Sequence, residues 1–202
     1  MIWLTWRQFR IQAVVAAVFL VAAVVALIVD AHLLSGLWAS TGAARCPATG
    51  DCAALKAFSA ATSHGLVTVL FVLDTALLYL VPPVIGLFWG APLVARELEA
   101  GTHRLVWNQS ATRTRWLATK LAVLGGGSMV LAGVLGLGVW WASARLDVHV
   151  LSRIGPLLFG ARGVVPIAYA AFAFVLGVVA GMVIRRTVPA MAVTLGVYVG
   201  VL

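Results

Sequence analysis

The sequence predicts an all-α fold, a polytopic bundle of membrane-crossing helices, and three observations carry that prediction. Of 202 residues, 63% are hydrophobic and only 10% charged, where a soluble domain carries about 25% charge. Mean hydropathy is +1.08. The apolar residues are gathered into long runs, and a run of roughly 20 is what a helix needs to cross a hydrocarbon core of about 30 Å. In lipid no water satisfies an exposed amide, so the backbone must bond to itself, and a helix does so along its length. The whole chain, 1–202, reads as one transmembrane domain.

Residues 1–10, MIWLTWRQFR, place Trp3, Trp6 and Phe9 at helical spacing beside Arg7 and Arg10. That predicts a short interfacial helix, with Trp6 and Arg7 as anchors at headgroup level. The apolar stretch 11–29 is then a first span. A secretory signal peptide is the competing reading, but the stretch is long for its apolar core and the aromatics precede it.

A second span is expected over 66–94, with Asp74 inside it and Pro82-Pro83 near its middle. Two prolines remove two backbone donors, which predicts a kink or break. The third span, 117–141, is rich in glycine. The fourth, 165–184, holds Gly177 and Gly181 at GxxxG spacing, and a fifth, 188–202, repeats that spacing with Gly196 and Gly200. Small residues at this spacing let helices approach closely, so packing is expected, with dimerisation as the lesser alternative. The fifth segment is about 22 Å long at 1.5 Å per residue, short of the core thickness. The expectation is therefore a chain truncated after the start of its fifth span.

The net charge of +8 does not form a basic face interleaved with aromatics, so nucleic acid is excluded as a partner. Instead the basic residues flank the spans and set orientation. With the N-terminus in the cytoplasm, Arg7, Arg10, Arg96, Arg104, Arg113, Arg115, Lys120, Arg185 and Arg186 fall inside. Arg45, Lys56, Arg145, Arg153 and Arg162 fall outside. This predicts a multi-pass plasma-membrane protein with a cytoplasmic N-terminus and external segments 30–65 and 142–164. In the first of these, Cys46 and Cys52 are candidates for a disulfide in an oxidising compartment, against two free thiols. Their spacing without a His pattern argues against a metal site. The second is open between an interfacial or re-entrant helix and a plain loop.

The inside segment 95–116, continuing to Lys120, carries the functional signal: ARELEAGTHRLVWNQSATRTRWLATK. Glu97 and Glu99 are acids in a basic setting, Gly101-Thr102 offers a break and a cap for a new helix, and Arg113, Arg115 and Trp116 are interface anchors for the third span. A compact amphipathic element below the membrane suits docking to a soluble partner; an ordinary charged loop is the alternative.

Glu97, Glu99, Gly101, Thr102, Leu105, Arg113 and Lys120 resemble the pattern of ABC-2-type permeases, especially those of drug and antibiotic export systems in high-GC Gram-positive bacteria. There an acid is followed by Gly-Thr, an apolar stretch, a basic residue and a Lys opening the next span. The layout matches over most of the chain and the motif over about 25 residues. Two departures stand out: Ser110-Ala111 occupy a place where the family often has Pro, and six spans are usual. The resemblance implies a type V exporter-like permease half whose loop 95–116 is a coupling helix. Glu97, Glu99, Gly101, Thr102 and Arg104 would then contact a separate cytosolic ABC ATPase, and a second permease chain, identical or homologous, would complete the transporter. ATP and Mg would belong to that ATPase. In keeping with this, the chain has no GxxxxGK[ST] phosphate loop, and no cofactor, metal or catalytic residue is expected on it.

Asp74 is expensive in a span, about 2.5–3.5 kcal/mol on insertion scales, so it should face the bundle interior. A translocation path with Tyr79, or helix–helix bonding, is the functional reading; a protonated interface residue or a position nearer the outer surface is the bland one. Thr68 and Thr75 are further candidate partners. The expected substrate is an amphiphile: a drug, a lipid or a peptide. Two other functions remain in view: a non-transporting scaffold or immunity protein, and an intramembrane metalloprotease using Glu97, Glu99 and His103.

Overall fold

The computed structural model describes residues 2–46, 52–63, 65–101, 113–149 and 164–201, apart from the side chains of 2–8, 71, 113 and 143–149. Every regular element among them is helical. In chain order these are α1 (Ile2–Ser40), a 3₁₀ turn (Ala43–Arg45), α2 (Ala53–Thr62), α3 (Leu66–Ile85), a π segment (Gly86–Gly90), α4 (Ala91–Glu99), α5 (Arg113–His149), α6 (Val165–Ile184) and α7 (Thr187–Val201). Four stretches are long and apolar enough to cross a membrane: Phe9–Ser40, Leu66–Glu99, Thr114–Ala142 and Val165–Ile184. Thr187–Val201 is apolar but shorter. The outer surface is itself apolar: Val18, Val72, Leu80, Leu137, Val183 and Val188 are all exposed, which suits a lipid solvent.

Two of the expected local features take a particular form. The interfacial helix expected over 1–10 is not a separate element, because α1 runs unbroken from Ile2 to Ser40. Nothing between Arg10 and Ile11 breaks a helix: no glycine or proline stands there. Of the kink or break expected at Pro82-Pro83, the break does not occur. Both sit inside α3, and the helix adjusts just beyond them, where Gly86–Gly90 widens into a π turn. Such turns absorb one extra residue without ending the helix.

α6 is the hub. It packs against α3, the π segment, α4, α5 and α7, and Ala170, Ala173, Phe174, Gly177, Val178 and Gly181 along it are buried. The tightest contact pairs two GxxxG stretches, Gly86–Gly90 and Gly177–Gly181. A Cβ on Gly86 would lie 2.6 Å from the Ala173 carbonyl oxygen, and one on Gly90 2.6 Å from that of Phe174. From the other side, a Cβ on Gly177 would strike the Gly86 carbonyl, and one on Gly181 that of Ala91. Backbone meets backbone, and only hydrogen fits. Next to it Ala91, Ala180 and Ala190 fill the junction of α4, α6 and α7. Gly196 and Gly200, by contrast, have open space around them.

α1 stands at the edge, packing chiefly on α5 and more lightly on α3. About 58 Å long at 1.5 Å per residue, it overhangs a bilayer core. Its last turns form a small cap in which Leu34, Ala43, Phe58 and Val67 are buried together. The Trp38 and Phe58 rings meet edge to face at 5.0 Å. A disulfide joins Cys46 to Cys52, with Cα atoms 6.0 Å apart.

The crossing makes a direct test. Gly90→Ala and Gly177→Ala should each destabilise the protein by about 1–3 kcal/mol, the usual cost of overpacking. Gly126→Ala, with nothing near its Cβ position, should be neutral or slightly stabilising. Thermal unfolding in detergent, read as monodispersity after heating, separates the two classes.

Candidate functional site

Two places gather the polar residues of this apolar chain, one at each end of the bundle. The first surrounds the end of α4. Ala100 and Gly101 close that helix: the Ala100 N–H donates to the Arg96 carbonyl (3.1 Å) and that of Gly101 to the Leu98 carbonyl (3.3 Å). Gly101 has φ +68°, a left-handed conformation in which a side chain would be strained, and the usual way to end a helix.

This closure aims two acids in different directions. Glu97 forms an ion pair with Lys120 of α5. The pair is sheltered, with the two side chains 14% and 4% exposed. The Lys120 ammonium also lies 4.7 Å from the centroid of the Trp116 ring and 6.0 Å from that of Phe9, a cation–π setting. Trp116, expected as an outward anchor, is only 6% exposed, because its ring lines the Lys120 site. Glu99 reaches α7. Its Oε2 accepts the Thr187 backbone N–H at 3.0 Å and the Thr187 hydroxyl at 2.8 Å. A carboxylate at a helix N-terminus satisfies an orphan donor and opposes the helix dipole. The chain reaches α7 through the short Arg185-Arg186 turn, with Arg185 at φ 58°.

The structure thus brings together Glu97, Glu99, Lys120 and Thr187, of which sequence reasoning had no sign of Thr187. Arg115 is exposed on the first turn of α5. Thr102, Arg104 and His103 lie outside the described residues, as do the side chains of Trp6, Arg7 and Arg113. Glu97 and Glu99 diverge to separate partners, which is not the convergence a shared metal needs.

The second place is a groove of about 810 Å³ between α1 and α3, floored by Leu131, Leu135 and Val139 of α5. Its wall is apolar except at two points, Gln12 and Asp74. Gln12 donates to the Phe88 carbonyl at 3.4 Å, while its buried Oε1 has no hydrogen-bond partner. Asp74 is half-buried, toward the start of α3. Tyr79 does not line this groove; it is close enough to Tyr169 of α6 and Tyr198 of α7 for their charges to act on one another. Thr68 is likewise engaged elsewhere, donating to the Thr62 carbonyl at 2.7 Å.

A further acid belongs here. Asp30 of α1 is 2% exposed and close enough to Asp74 for the two charges to act on each other. The sequence offered one signal for it: Asp30 is followed by Ala31, Leu33, Leu34 and Leu37, so the apolar helix did not end at residue 29.

Lys120→Met should be costly, because it takes the ammonium away from the sheltered Glu97 carboxylate; about 3–5 kcal/mol is the expected loss. Adding Glu97→Gln to that variant should recover a large part of it. A double-mutant cycle on thermal unfolding measures the coupling.

The family model described as ABC-2 membrane transporter related matches residues 16–202. No curated protein and no solved structure matches the chain.

Proposed function

Since the chain belongs to the ABC-2 membrane transporter related family, whose members are membrane-spanning transport subunits, we propose that it is the permease of an ATP-driven exporter. It works with a separate cytosolic ABC ATPase and a second permease chain, and it moves an amphiphile across the plasma membrane. The observation that carries this reading is the α4 end. There one short turn, Ala95–Gly101, is bonded to α5 through Glu97–Lys120 and to α7 through Glu99–Thr187. A partner that pushes on this turn pushes on two helices at once.

On this reading the α4 end faces the cytoplasm, where most of the span-flanking basic residues gather. The Cys46–Cys52 end faces outward, into a compartment that permits disulfides. Glu97 and Glu99 serve the ATPase contact by holding the turn in place. Thr102 and Arg104, beyond the helix stop at Gly101, are the residues that touch the ATPase. ATP and Mg²⁺ are bound by the ATPase, and the α1–α3 groove with Asp74 is the substrate surface.

Gentle extraction of the protein from its native membrane should bring down a stoichiometric ATPase. Arg104→Glu together with Thr102→Trp should lose it while leaving the melting temperature within about 1 °C of the parent. Extraction without any ATPase would overturn the exporter reading in favour of a scaffold.

A further inference from the structure

The α1–α3 groove is built for one kind of charge. Apart from Gln12 and Asp74 its walls are aliphatic and aromatic along a length of about 28 Å, taken as the 19 steps from Leu70 to Trp89 at 1.5 Å each. Asp74 lies about one helical turn from the Leu70 end of this wall, toward the start of α3. Asp30 of α1 does not line the groove but is close enough to Asp74 for the two charges to act on each other; it is 2% exposed, with Oδ1 lacking any hydrogen-bond partner. Its neighbours Leu27 and Ala31 belong to the same packed cluster as Leu77 and Leu78 of α3. Among the described residues Lys120 is the buried cation, and it lies at the opposite end, paired with Glu97.

We propose that Asp74 and Asp30 form a seat for the cationic group of an amphiphile whose apolar body lies along the α1–α3 groove. Ligand sites are commonly apolar cavities of about 300–1,000 Å³ with a few placed polar groups that fix orientation. Two carboxyls in a low-dielectric wall focus a negative potential into the cavity mouth. A ligand with a positive head and an apolar body satisfies both features, and an anionic one satisfies neither. Asp74 touches the cation, and Asp30 reinforces the field. The inference rests on the groove being the substrate surface of the permease, and it narrows that substrate to cations.

The test is equilibrium binding to the full chain in phosphatidylcholine nanodiscs, with two ions of one shape and opposite charge, tetraphenylphosphonium and tetraphenylborate. The cation should bind at least tenfold more tightly than the anion. Asp74→Asn should weaken the cation at least tenfold and Asp30→Asn about threefold, and Asp74→Glu should restore most of the affinity. Ala26→Trp, which fills the groove between Ala23 and Leu27, should abolish binding without touching either acid. Equal binding of the two ions, or cation binding unaffected by Asp74→Asn, overturns the proposal. The wild-type comparison of the two ions decides the matter even where a variant fails to fold. Because the ATPase takes no part in this measurement, a failed seat and a failed exporter reading are told apart: one is read here, the other in the co-purification.

Discussion

The approach of α6 to the Gly86–Gly90 turn sets the arrangement of most other parts. Lipid tails are as apolar as leucine, so burying apolar surface gives helices in a membrane little reason to associate. What remains is close packing of backbones and the dispersion it brings. Gly86 and Gly90 on one side, with Gly177 and Gly181 on the other, remove the side chains that would keep two helix axes apart. Once α6 is seated there, Phe174 reaches α5, where a Cβ on Gly125 would lie 3.1 Å from its ring. Thr194 of α7 closes on Gly86 from the other flank. Three helices are therefore held in register by hydrogen atoms where side chains would otherwise stand.

The π turn belongs to the same constraint. Pro82 and Pro83 deprive the Leu78 and Tyr79 carbonyls of their i+4 donors, and Gly86 donates to both Pro82 and Pro83 carbonyls. The widened turn follows, and it is this turn that carries Gly86 and Gly90 against α6. Beyond it the helix resumes as α4 and delivers Ala91, Leu93, Val94 and Ala95 to the core. It ends with Glu97 and Glu99 pointing to different neighbours. The place of the two acids is thus inherited from a packing contact some ten residues earlier.

How legible this was depended on the kind of signal. The helix bounds of α6 and α7 could be read to within a residue or so, because Arg185 and Arg186 punctuate an otherwise apolar run. Gly177 and Gly181 were legible as a packing motif, but their partner GLFWG was not, since the adjacent prolines suggested a break rather than a contact face. α1 continues from the expected span 11–29 to Ser40, because hydropathy reports where lipid begins and not where the helix stops. The candidate site was legible only in part. Glu97, Glu99 and Asp74 stand out as acids in an apolar or basic setting. Thr187 and Asp30 become visible only when the chain is folded, since their importance lies in what sits opposite them. Composition cannot report a distance between residues 99 and 187.

The two polar places obey one electrostatic rule with opposite results. A charge withdrawn from water must find a countercharge, hydrogen bonds or a ligand. At the α4 end each charge has a countercharge or donor inside the chain: Glu97 has the Lys120 ammonium on Oε1, though its Oε2 accepts no hydrogen bond, and Glu99 has the N-terminus of α7. Satisfied charges of this kind fix geometry, so they suit a part that must transmit displacement without deforming. At the other end Asp30 keeps an oxygen without a hydrogen bond, and Asp74 opens on an apolar groove. Unsatisfied charge of that kind is a poor way to hold a fold together, since an apolar side chain of similar size would pack there at lower cost. On the proposed reading, something that arrives from outside the chain supplies what that charge lacks. On the proposed reading, in which the chain takes force at one end and substrate at the other, this division places the paired charges where rigidity is needed and the open ones where binding is.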